Sequence, residues 1–191
     1  MFYLLIIALL ILIPILYLKI IKKYSNKKIE QELLPKNQGL KKEIIGSFAL
    51  FGALFIGFVL ISTTINIIDI ALEETGVEFR LNDLEKVGEV VGENLNRGVE
   101  NYLILLIIVL FVEEFFFRAF LQPRIGIFFS TILFTIAHLG YDSIGQTIGV
   151  FFLGLVLAYW FKKNKSIIQN YFGHLLYDLL AIMIYVFFGS W

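Results

Sequence analysis

Six ionisable side chains stand in three otherwise apolar stretches of the sequence: Glu113, Glu114 and Arg118 in the first, His138 in the second, His174 and Asp178 in the third. An ionisable group at the bilayer centre costs about 2.5 to 3.5 kcal/mol on insertion scales, so such groups persist as paired interior charges or as a functional site. His138 and His174 are the only histidines in the chain. Residues four apart share a helix face, which pairs Glu114 with Arg118, His174 with Asp178 and Phe134 with His138. Mutual neutralisation of Glu114 and Arg118 leaves Glu113, about 100° round the helix, as the free carboxylate. A Glu beside an imidazole in a partly dry cavity suits the activation of water. Hydrolysis is the reaction this set predicts.

The same residues have a plainer reading. Glu114 with Arg118 serves equally well as a structural ion pair, and a lone His or Asp inside a span often acts as interhelical glue. Phe134 and the run Phe115-Phe116-Phe117 read as packing and lipid contact, and Gly126, Gly140, Gly145, Gly149, Gly154 and Gly173 as sites of close helix approach. The plainer reading handles poorly the depth of the charged set. At 1.5 Å per residue, Glu113 and His174 lie about 12 Å from the same end of their helices, Asp178 about 18 Å and His138 about 20 Å. One layer can hold them all.

The elements that carry these residues are spans of a membrane. The chain is 59% hydrophobic and only 17% charged, well under the roughly 25% of soluble domains, and a helix of about 20 apolar residues crosses the hydrocarbon core. Apolar runs cover 2–20, where Pro14 kinks rather than ends the helix, then 44–70 and 101–121. After Gln122-Pro123-Arg124, a turn signal, they cover 125–140, 144–161 and 166–188. The expected fold is all-α, a polytopic transmembrane bundle of about six spans forming one domain, 1–191, with the chemistry in 101–188. The first run lacks a basic leader and a small-residue cleavage site, and is read as a retained span. The absence of cysteine excludes disulfides, thiolate metal sites and a Cys nucleophile. Equal numbers of basic and acidic residues, 16 each, give no reason to expect nucleic acid as a partner.

The basic residues are divided unevenly. Lys19, Lys22, Lys23, Lys27, Lys28, Lys36, Lys41, Lys42, Arg118, Arg124, Lys162, Lys163 and Lys165 fall at one end of the spans, and only Arg80, Lys86 and Arg97 at the other. Cytoplasmic ends carry the excess of Lys and Arg, which places both termini and the acidic segment 73–100 outside, in what is expected to be the cell membrane. Within that segment Leu81, Leu84, Val87, Val91 and Leu95 recur at helical spacing, as in an amphipathic helix lying on the membrane surface.

Taken in order, Glu113-Glu114-Phe-Phe-Phe-Arg118, Phe134-Thr-Ile-Ala-His138 and His174-Leu-Leu-Tyr-Asp178 have the forms EExxxR, FxxxH and HxxxD. Three such motifs on three apolar helices resemble the CAAX-prenyl-protease and bacteriocin-processing family of intramembrane proteases, over residues 101–188. The resemblance implies that Glu113 activates water with help from His138, that His174 and Asp178 stabilise the oxyanion, and that Glu114 and Arg118 hold the site together. It implies a peptide or protein substrate, prenylated in the best-understood members, which typically carry Asn where this chain has Asp178. A water activated by Glu and His requires no cofactor. The family is also described as metal-dependent, so a divalent metal such as zinc stays open, with Glu113, His138, His174 and Asp178 as its ligands. Two other functions compete: a non-catalytic bacteriocin-immunity or membrane scaffold protein of the same fold, and a transporter of divalent cations. Against transport, no inverted repeat is visible and the polar residues form one layer rather than a path.

Overall fold

The computed structural model of the chain describes residues 2–34 and 37–188, so Lys36 of the basic set lies outside the described residues. Eight α-helices are described: α1 (Phe2–Leu16), α2 (Asn26–Leu33), α3 (Leu40–Glu74), α4 (Glu85–Arg97), α5 (Val99–Glu113), α6 (Gln122–Ala137), α7 (Ile144–Asn164) and α8 (Ile167–Phe188). Among the described residues there is no strand. Leu4–Ile21, α3, α7 and α8 are each long and apolar enough to cross a membrane. The protein is an all-α, polytopic integral membrane bundle. At about 52 Å, α3 is longer than the roughly 30 Å hydrocarbon core of a bilayer.

Two helices change winding where they meet functional or basic residues. Pro14 sits inside α1 without ending it, and the helix runs on through a π-helical segment, Tyr17–Ile21. Likewise α5 continues into a π-helical segment, Glu114–Leu121, which carries Glu114 and Arg118. π turns are rare and concentrate at functional sites. The expected break at 122–124 is absent. The helix continues through Pro123, and the chain turns instead at Gly126, whose φ of 83° is open to glycine at no steric cost. The Phe120 carbonyl accepts from the Arg124 guanidinium.

Helix α3 packs along α8 and α7, and α6 packs along α7. Close approach is enforced by small residues. A Cβ on Gly173 would lie 2.8 Å from the Leu50 side chain, and one on Gly154 3.1 Å from Thr131 and 3.2 Å from Phe134. Gly145 is similarly tight, whereas Gly140 and Gly149 have nothing within 4 Å and Gly126 serves the turn instead. At the basic end Leu18, Ile29, Leu33, Phe115, Phe120 and Phe161 form one cluster. There the buried Glu43 carboxylate accepts from the Gln38 amide at 2.7 Å and the Ser166 hydroxyl at 2.5 Å, tying the start of α3 to the α7–α8 turn.

The acidic end is closed by a second set of carboxylates. Asp69 on α3 accepts from the amides of Leu81 and Asn82, both at 2.8 Å. Asp83 caps α7, accepting from Ser143 Oγ at 2.7 Å, Gly145 N at 2.9 Å and Ile144 N at 3.1 Å, with Lys86 Nζ at 3.2 Å. Burial pushes the Asp83 carboxyl up, but these donors outweigh it and hold it at about 2 against an ordinary 3.8. A folded-state value below the unfolded one stabilises above about pH 4, and that contribution, roughly 2 kcal/mol, is lost as the pH falls towards 2. Asp83→Asn is therefore expected to melt below the parent at pH 7, with the gap closing on acidification. A gap of constant size from pH 7 to pH 2.5 would reject the assignment.

Helix α4 has the amphipathic pattern expected of it, but not the expected position. Its apolar face turns onto the bundle, with Leu84, Val87 and Val91 lining an internal cavity, and Gly92 lies so close to Tyr185 of α8 that a Cβ would meet its hydroxyl at 2.2 Å. For the orientation of the bundle, the exposed Lys27 and Glu93 are suitable points for single cysteines in this cysteine-free chain. Impermeant maleimide is expected to label Glu93→Cys from outside intact cells and Lys27→Cys only after permeabilisation. Labelling of both from outside contradicts the topology.

Candidate active site

All six sequence-predicted residues converge. Glu114 and Arg118, on the π-helical segment, are fully buried, with Arg118 Nε 3.6 Å from Glu114 Oε2. The second oxygen, Glu114 Oε1, lies 2.9 Å from His174 Nδ1 on α8. On the far side of that ring His174 Nε2 is 3.9 Å from Asp178 Oδ1. Glu113 faces the other way, with Oε1 3.7 Å from His138 Nε2 at the end of α6. Where the sequence offered Glu114 only as the partner of Arg118, the structure gives it His174 as well. Orientation of His174 thus rests more on Glu114 than on Asp178, whose distance exceeds that of a hydrogen bond.

Phe134 is the hub of this arrangement rather than general packing. Its ring centroid is 4.4 Å from the His138 ring and 6.3 Å from the His174 ring, and the Arg118 guanidinium sits 4.5 Å above it. Its carbonyl is 2.8 Å from His138 Nδ1. A carbonyl only accepts, so Nδ1 carries the proton and Nε2 is left to face Glu113.

Asn170 is a site residue that the sequence reading missed. It is fully buried, and its Nδ2 donates to Glu114 Oε2 at 3.0 Å and to the Leu157 carbonyl at 2.9 Å. Its signal was the spacing Asn170, His174, Asp178, which puts all three on one face of α8. Gln122, one turn beyond Arg118, donates to the neighbouring Ala158 carbonyl at 2.8 Å. Asn170 thus ties Glu114 to α7 at the Leu157 carbonyl, and Gln122 ties the end of the π-helical segment to α7 at the next carbonyl.

Glu113, Phe134, His138, His174 and Asp178 line a cavity of about 270 Å³, whereas Glu114, Arg118, Asn170 and Gln122 lie behind its wall. Glu113, His138, His174 and Asp178 lie at one end, and apolar side chains of α3, α4, α5, α7 and α8 make up most of the rest. Glu113 Oε2 is buried and has no hydrogen-bond partner among the described residues. A gap of 3.7 Å between carboxylate and imidazole is too long for a direct hydrogen bond, which leaves both groups able to accept from a water beside them.

As a metal cradle the residues fit poorly. Among the described residues no group of three or more His, Cys, Asp or Glu side chains is arranged to hold an ion. Each imidazole has its Nδ1 engaged and its Nε2 opposite a different carboxylate. This makes two separate His–carboxylate pairs, not a shared ligand set.

Fold and site together define a helical membrane protein with two His–carboxylate pairs buried between its helices. Residues 97–180 match the family described as type II CAAX prenyl endopeptidase, Rce1-like. All three motifs fall within that stretch, which is under half of the chain. No curated protein and no solved structure matches the chain. Helices α1 to α3 lie outside the matched residues.

Proposed function

We propose that the protein is an intramembrane endopeptidase that cleaves near the C-terminus of a lipidated, CAAX-type peptide with a water activated by Glu113. The observation that carries this reading is the Glu113–His138 pair at 3.7 Å, with one carboxylate oxygen unpartnered among the described residues, at the end of an apolar cavity. A water beside them donates one hydrogen to Glu113 and the other to His138 Nε2. Its oxygen attacks the scissile carbonyl carbon as Glu113 takes the proton. His174, with Nδ1–H fixed on Glu114, presents Nε2 to the carbonyl oxygen and, when protonated there, donates to the oxyanion. Collapse breaks the C–N bond, and the proton held by Glu113 passes to the departing amine. Asp178 balances the charge on His174 from the cavity side. The apolar length of the cavity suits a prenyl chain on the Cys that precedes the cleaved bond.

The test is incubation of purified protein with farnesylated and unprenylated versions of one C-terminal peptide, with products identified by mass. Release of the terminal tripeptide from the farnesylated form alone is expected, and persists in the presence of a strong chelator. No cleavage of either form favours the immunity or scaffold reading. Loss of cleavage with chelator, restored by zinc, replaces the metal-free mechanism.

A further inference from the structure

The cavity has a measurable length. Its lining runs from Glu113 to Tyr102 on α5 and from His174 to Tyr185 on α8, about 16 Å on each helix, and from Leu157 to Gly145 on α7, about 18 Å. Three independent helices thus agree on a channel leading from the charged layer towards the acidic end. There it meets α4, which is anchored at both ends. One end is tied to the start of α7 by Asp83 and to the α6–α7 loop by Lys86 Nζ donating to the Asp142 carbonyl at 2.9 Å. The other is pressed onto α8 at Gly92 and Tyr185. The outward face of α4 carries Glu85, Glu89 and Glu93, all exposed, so the helix is a roof with water or headgroups above it and the cavity below.

We infer that α4 is the chain-length stop for the lipid tail of the substrate, with Val87 and Val91 setting the longest tail admitted. The inference rests on the reading of the site as a lipopeptide endopeptidase. It assigns specificity to a segment almost wholly outside the Rce1-like stretch, which begins at residue 97. In an apolar pocket a change of a methylene or more alters discrimination by about 10- to 200-fold, so a residue at a closed end should act on long tails and spare short ones.

The experiment measures binding of N-acetyl cysteines bearing S-geranyl, S-farnesyl and S-geranylgeranyl chains to the parent, Val91→Phe, Val91→Ala and, as a control on the exposed face, Glu89→Ala. Cleavage of the matching peptides is measured separately. Val91→Phe is expected to lower affinity for the longest tail relative to the shortest by about tenfold, and Val91→Ala to raise that ratio. Glu89→Ala leaves it unchanged. Shifts of opposite sign cannot come from general damage to the fold. An unchanged ratio in both Val91 variants overturns the stop even if the peptides are cut, whereas a shifted ratio in a protein that cuts no peptide keeps the stop and removes the protease reading. If Val91→Phe does not fold, an unchanged ratio in Val91→Ala alone overturns it.

Discussion

Glu113→Gln is expected to lower turnover of a prenylated peptide by on the order of 10³-fold while KM, melting and membrane insertion stay with those of the parent. The amide keeps the shape of the carboxylate and an acceptor for its neighbours, but cannot take a proton from water. The structural cost is small because the oxygen at stake, Glu113 Oε2, has no hydrogen-bond partner to lose among the described residues. His138→Ala removes the second acceptor of the same water and is expected to act in the same direction, with a smaller loss. Turnover of Glu113→Gln within a few-fold of the parent would remove the general-base role. A fall accompanied by a lower melting point would point to a structural carboxylate instead.

The helices and the charged layer were legible in the sequence for one physical reason: a charge in an apolar span is costly enough to stand out against its surroundings. The pairs Glu114–Arg118 and His174–Asp178 followed from helical spacing alone and are present in the structure. What could not be read depends on tertiary contacts. Asn170 carries no charge, so in a span it resembles ordinary interhelical glue until its two bonds, to Glu114 and to the Leu157 carbonyl, are seen. The same moment that would float α4 on lipid also docks it over a cavity, and Leu84, Val87 and Val91 do not distinguish the two by pattern. The π winding of Glu114–Leu121 has no sequence signature, and its continuation through Pro123 moved the turn to Gly126. The role of Glu114 changed most. A four-residue spacing named one partner, and only the approach of α8 supplied the other.

That double engagement separates stability from activity. Arg118 has no solvent exposure, and among the described residues its Nε, Nη1 and Nη2 have no hydrogen-bond partner, so its charge is balanced chiefly by Glu114 at 3.6 Å, with the face of Phe134 and the nearby Glu113 adding to it. Removing one member of a buried ion pair leaves an uncompensated charge and costs about 3 to 5 kcal/mol, whereas replacing both with neutral groups of similar volume is often neutral or better. Arg118→Met and Glu114→Gln should therefore each be strongly destabilised in detergent, and the double variant should recover most of the loss. Activity should not recover with it. Gln at 114 presents a neutral oxygen to His174 Nδ1, which is a weaker acceptor than a carboxylate and holds the ring less firmly. Turnover in the folded double variant is thus expected to stay at least tenfold below the parent, with kcat rather than KM bearing the change. Full recovery of turnover along with stability would reduce Glu114 and Arg118 to a structural pair and detach His174 from its support. If the double variant melts no higher than the single ones, the ion-pair reading of the buried core is itself wrong.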